Sequence, residues 1–64
     1  MEVYTLFWLD GRSEVIVGGD IYKALHKAGY ESKDLDYLDF WAPGDARDEF
    51  EWVGSPDVGN WDIK

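Results

Sequence analysis

The chain has 64 residues, no cysteine and a net charge of −8, with 14 Asp and Glu against 6 Lys and Arg. That length makes one domain, 1–64, near the size at which an unaided core becomes marginal, and without cysteine there is neither a disulfide framework nor a thiolate metal site to staple it. The acidity argues against direct binding to nucleic acid or anionic membrane, which needs basic patches, and points instead to a basic protein partner. Four Trp, four Tyr and three Phe supply the burial, each able to cover ~150–250 Å². The N-terminal MEVYTLFWLDG carries an acid at Glu2 and breaks at Asp10-Gly11, so it does not read as a signal peptide. No stretch approaches the ~20 apolar residues of a membrane span, and the cytoplasm is the expected location.

Val3 to Leu9 is rich in β-branched and aromatic residues and ends at Asp10-Gly11, a dipeptide suited to a two-residue type I′ hairpin turn. Val3, Thr5, Phe7 and Leu9 alternate with Tyr4, Leu6 and Trp8, so both faces are apolar and the strand is expected to be central and covered twice. The returning strand, Arg12 to Val17, should bury one face. Gly18-Gly19 ends it, and Asp20 is placed to cap a short helix whose stripe is Ile21, Ala24, Leu25 and Ala28. Gly29 is a natural stop, with Tyr30 placed for the contact of a Schellman motif.

Glu31 to Lys33 reads as a polar connection and Leu35 to Trp41 as a third strand, with Leu38 and Phe40 able to reach the core and Asp39 leaving the register open. Ala42-Pro43-Gly44-Asp45 is a turn, and Glu49 to Val53 alternates Phe50 and Trp52 against Glu49 and Glu51. The tail, 57–64, carries Val58, Trp61 and Ile63, enough to dock at an edge or else to fray. The expectation is an α+β fold, β-β-α-β-β, with a small antiparallel sheet and one short helix packed on one face.

Charge is unevenly placed. Residues 1–33 hold five acids and four bases, net −1, whereas residues 34–64 hold nine acids against Arg47 and Lys64, net −7. Within Asp34 to Trp52 seven of nineteen residues are carboxylates, interleaved with aromatics that disordered acidic tails lack. Carboxylates two apart on a strand lie ~6.6–6.8 Å apart on one face. Two steps along one DNA strand advance ~6.8 Å, so the pairs Asp34/Asp36 and Glu49/Glu51 are candidates for charge presented at nucleic-acid density. Asp39, Asp45 and Asp48 add to this surface, and Trp41 is a candidate aromatic anchor within it.

Other chemistry is poorly supported. The single histidine, His26, falls on the helix, and Ser13, Ser32 and Ser55 fall in strand or turn contexts, without the base and orienting group that nucleophilic catalysis needs. The Asp-rich stretches do not complete a calcium loop, because Leu38 stands where a third ligand would follow Asp34 and Asp36. Neither enzyme activity, a cofactor nor a metal is therefore expected.

The segments TLFWLDGRSEVIVGG, KALHKAGY and LDFWAPGD resemble a group of short bacterial and mobile-element proteins that share TLFW, DG, R, V, G, then AGY, LDF and GD. The match runs over Thr5–Trp8, Asp10–Arg12, Val15 or Val17, Ala28–Tyr30, Leu38–Phe40 and Gly44-Asp45, which are turn and core positions and bear on fold. In size and acidity the chain is also similar to phage-encoded anti-CRISPR proteins, including small acidic type I-C inhibitors. That similarity implies a monomeric, non-enzymatic DNA mimic that occludes a basic DNA-binding protein such as a Cas subunit of a type I effector complex. The alternative from the residues is an interaction module that uses an aromatic sheet face, self-association included, with the acids serving solubility.

Overall fold

The two apolar faces of the first strand dictate the architecture. In the computed structural model, which describes residues 1–64, β1 (Glu2–Trp8) pairs antiparallel with β2 (Ser13–Gly18) on one side and with β3 (Leu38–Pro43) on the other. Thr5, Leu6, Phe7 and Trp8 are all buried. The expected β1–β2 hairpin forms, but its turn is not type I′. That turn needs positive φ at two successive residues, and only Gly11 has it, at 88°. Gly11 N donates to Trp8 O and Trp8 N to Arg12 O, leaving a longer loop, Leu9 to Gly11, closed by glycine.

One face of the sheet carries helix α1 (Ile21–Lys27), started by Asp20, whose carboxylate accepts the Lys23 N–H at 2.8 Å. It ends as its glycine requires: Gly29 has φ 90°, Gly29 N donates to His26 O, and Tyr30 N donates to Leu25 O, the Schellman pair. Ala24 and Leu25 pack on Leu6, Trp8 and Ile16, with Tyr30, Leu35 and Leu38 closing the margin. Gly18 permits this approach, since a Cβ there would stand 2.5 Å from the Ala24 backbone nitrogen.

The other face is covered by a second hairpin, β4 (Phe50–Gly54) with β5 (Gly59–Ile63). The strands therefore divide into two antiparallel sheets, of three and two strands, rather than the single sheet expected from sequence. The α+β class holds, with one helix and antiparallel strands throughout. The reason for the split is the aromatic face of the second hairpin. Phe7 stacks on Phe40 at 4.6 Å and meets Phe50 and Trp61 edge-on at 5.0 and 4.9 Å, so the hairpin buries itself on β1 instead of extending the sheet. Trp61 Nε1 donates to Trp8 O at 2.8 Å, and the tail is a strand rather than a frayed end. Val58 and Ile63, expected to dock with Trp61, are exposed instead.

Two departures from the expected order shape the acidic region. Ser32–Tyr37 is a 3-10 helix, so β3 begins at Leu38 rather than Leu35. Asp34 accounts for the difference: its carboxylate accepts the Glu31 N–H at 2.8 Å while its own N–H donates to Glu31 O, which closes a turn where a strand was anticipated. The register then slips, with Phe7 opposite Phe40 and Trp8 opposite Leu38, so Asp39 is the extra residue of a β-bulge. In a regular strand Leu38 and Phe40 would share a face; here Leu38 joins the helix side and Phe40 the hairpin side.

The chain crosses from β3 to β4 over Thr5, the one polar residue among the fully buried side chains. Its hydroxyl donates to Gly44 O at 2.6 Å and accepts the Ala46 N–H at 2.8 Å. Thr5→Val keeps the shape and leaves both backbone groups without that partner, at a cost of roughly 1–3 kcal/mol. For a domain this size the thermal midpoint falls by about 4–8 °C per kcal/mol, which a circular dichroism melt reads directly.

Candidate acidic interface

The carboxylates fall into two sets by what they touch. Asp10, Glu31 and Asp45 form ion pairs with Arg12, Lys33 and Arg47 at 2.7, 3.6 and 2.9 Å. Asp20 and Asp34 are spent on capping backbone N–H groups, and Glu14 accepts the Tyr30 hydroxyl. The remainder of the acidic half, Asp36, Asp39, Asp48, Glu49, Glu51, Asp57 and Asp62, is exposed and has no cationic partner, and of these Asp62 accepts the neighbouring Ile63 N–H at 2.8 Å.

The expected site residues are not one array. The pair Asp34/Asp36 does not exist as a strand pair, because both lie on the 3-10 helix, and Asp34 is half-buried in its cap while Asp36 faces solvent. Leu35 between them packs into the helix-side core, so these two acids ride on that side of the central sheet. Asp39 projects from the bulge. Asp45 is exposed but already gripped by the Arg47 guanidinium, Nε to Oδ1 at 3.0 Å and Nη2 to Oδ2 at 2.9 Å, and these hydrogen bonds hold its carboxyl below the usual carboxylate range. Asp48 and Glu49 lie in the turn entering β4, and Glu51 lies on its outer face.

The second hairpin organises its acids most tightly. Phe50, Trp52 and Trp61 turn inward, so strand alternation sends Glu51 and Asp62 outward. Glu51 stands directly opposite Asp62, and Lys64 N donates to Glu49 O, which carries the ladder one step further. Ser55 N donates to Val58 O at the other end, so the alternation of the ladder makes Glu51 and Asp62 a hydrogen-bonded pair with Cα atoms about 5.5 Å apart. Asp62 is the member that sequence reasoning left out of the site. Its signal was the alternation Asn60, Trp61, Asp62, Ile63, the same two-residue period that identified Glu51.

Aromatic contacts and indole hydrogen bonds anchor the hairpin. Trp52 meets Trp61 edge-on at 5.5 Å, and its Nε1 donates to Ser55 O at 2.8 Å. Its ring also lies against two glycines: a Cβ on Gly11 or Gly59 would come within 2.9 or 2.8 Å of it. The aromatic sheet face available to a partner is correspondingly small, since Phe7, Phe40, Phe50 and Trp61 cover one another. Trp41 is the exception, 43% exposed beside Tyr4 on the helix side of β3.

No group of three or more His or carboxylate side chains converges closely enough to hold a metal ion. The largest hollow, about 450 Å³, lies between the turns of the two hairpins, and its one cation, Arg12, is paired with Asp10 on its rim. No helix is long and apolar enough to cross a membrane.

The Tyr30 hydroxyl is the most perturbed group near these acids, pushed up to about 12 first by burial and then by its hydrogen bond to the negative Glu14. The folded state therefore keeps this proton at pH values where the unfolded chain, near 10.0, has released it. Its stabilising contribution is complete below pH 10 and disappears as pH rises toward about 12. Tyr30→Phe is expected to flatten the fall in urea midpoint across that window relative to the parent chain. An unchanged slope would separate Tyr30 from the alkaline transition.

Comparison with known proteins adds no functional assignment: no protein-family model matches the chain, and neither a curated protein nor a solved structure matches it.

Proposed function

We propose that the chain is a non-enzymatic binding protein that docks its acidic half into a basic, nucleic-acid-binding groove of a protein partner and excludes nucleic acid from it. The observation that carries this reading is the Glu51/Asp62 pair. Like charges directly opposite each other on a sheet destabilise it, and a surface serving solubility alone has no need to place them so. Here they sit without cations on a hairpin anchored by Trp52 and Trp61, with Glu49 and Asp48 at its entrance. A fixed pair of carboxylates offers an arginine-lined groove a ready counter-surface, with little ordering to be done on binding.

The resemblance to acidic anti-CRISPR proteins supports the same class of target, a DNA-reading subunit of a type I effector complex. The array is narrower than the sequence reading proposed. Asp34 and Asp45 are committed within the chain, and the working residues are Asp48, Glu49, Glu51 and Asp62, with Asp36 and Asp39 at a second location and Trp41 as an apolar contact beside Asp39.

Capture from lysate of a bacterium that carries such a system, with and without nuclease, identifies the retained protein. For a basic-groove partner, retention is independent of nuclease, competes with DNA, and weakens steeply as salt rises from low to physiological strength. Glu51→Lys with Asp62→Lys is expected to slow association by roughly 10–10³-fold while near-ultraviolet circular dichroism stays that of the folded chain. Asp36→Lys with Asp39→Lys tests the second location in the same assay. Tight binding indifferent to salt and to both reversals would remove electrostatic mimicry as the basis of recognition.

A further inference from the structure

The outer edge of β2 is open. Arg12 O pairs with Trp8 N, so the alternation of an antiparallel ladder turns Glu14, Ile16 and Gly18 toward β1 and leaves the N–H and C=O groups of Ser13, Val15 and Val17 pointing away from the sheet. No side chain bonds to them. Natural edges are ordinarily blunted by lysine, proline, a bulge or a covering segment, and Ser13–Gly18 carries none of the first three. Along this edge runs a groove of about 280 Å³ between the strand and the helix, lined by Glu14, Val15, Ile16, Val17 and Ala24 and bordered by Lys27. On the opposite face Val17 and its cross-strand neighbour Val3 are 39% and 36% exposed, beyond the cover of the second hairpin.

We propose that this edge is where a second copy of the chain adds, β2 against β2, joining the two three-stranded sheets into one of six. Three observations select a second copy over a strand from another protein. First, the edge is self-complementary. A two-fold axis at Val15 sets Val15 against itself, Ser13 against Val17, Glu14 against Ile16 and Arg12 against Gly18, so no two acids face each other. Second, the strand order β2-β1-β3 puts the joined edges on the less acidic side: residues 1–33 carry −1 and residues 34–64 carry −7, so β3 and its acids lie at the two outer ends. Third, the groove is bordered by Lys27, which has no intramolecular ion pair, so it does not suit the cationic partner inferred for the other half.

The assembly is independent of the acidic interface, and the two are tested separately. Sedimentation velocity on the full chain from micromolar to millimolar concentration is expected to show a concentration-dependent shift to twice the monomer mass. Val15→Pro removes an outward N–H without touching the ladder to β1, and Val17→Lys places a charge on the edge; each is expected to hold the chain monomeric. Near-ultraviolet circular dichroism verifies that each variant keeps its aromatic core, and the reading is made on whichever of the two does. A parent chain monomeric throughout that range overturns the proposal, as does a dimer that persists in a folded variant.

Discussion

A strand whose two faces are both apolar has to be covered twice, and 64 residues leave little material for the task. β1 is that strand, and its run of Thr5, Leu6, Phe7 and Trp8 is the most deeply buried stretch of the chain. A helix of seven residues covers the side of Leu6 and Trp8. The side of Phe7 is covered instead by a hairpin with one aromatic face, because strand alternation gathers Phe50 and Trp61 against it. Thr5 ties the layers together, because its hydroxyl supplies both the acceptor and the donor that the backbone passing from β3 to β4 needs.

The same constraint accounts for where the charge lies. A two-residue period permits no choice: once Phe50, Trp52 and Trp61 are committed to the interior, Glu51 and Asp62 are committed to solvent, opposite each other. Cross-strand repulsion is then tolerated because it is offset elsewhere. Trp52 packs over Gly11 and Gly59, Trp61 donates to Trp8, and both clamp the hairpin from its buried side. Packing on the inner face is what gives the outer face a defined shape.

Charge and open backbone are segregated in the fold. Acids without cations gather on the second hairpin, the bulge of β3 and the 3-10 helix, while the unpaired edge of β2 lies across the sheet beside the half with nearly balanced charge. An acidic surface and an open strand edge therefore occupy different margins of one small molecule. Screening lengths of roughly 8–10 Å at moderate salt keep the two from cancelling.

Local chemistry by itself determined the first hairpin, the Asp20 cap, the helical stripe of Ile21, Ala24 and Leu25, the Gly29 stop and the inward face of Phe50 and Trp52, because each follows from a period or a backbone preference spanning a few residues; Ala28, expected in the stripe, caps the helix and is exposed. It also determined that the strands are antiparallel and the class α+β. The Asp34 turn is local as well, a Glu31–Asp34 cap that the strand reading passed over. The tertiary structure alone decided that the second hairpin stacks on β1 rather than joining its sheet, that Asp39 is a bulge sending Leu38 and Phe40 to opposite cores, and that Asp62 stands across from Glu51. The physical reason is common to all three. Each depends on which distant aromatic or backbone group a residue meets, and a periodicity records which way a side chain faces without naming what it faces.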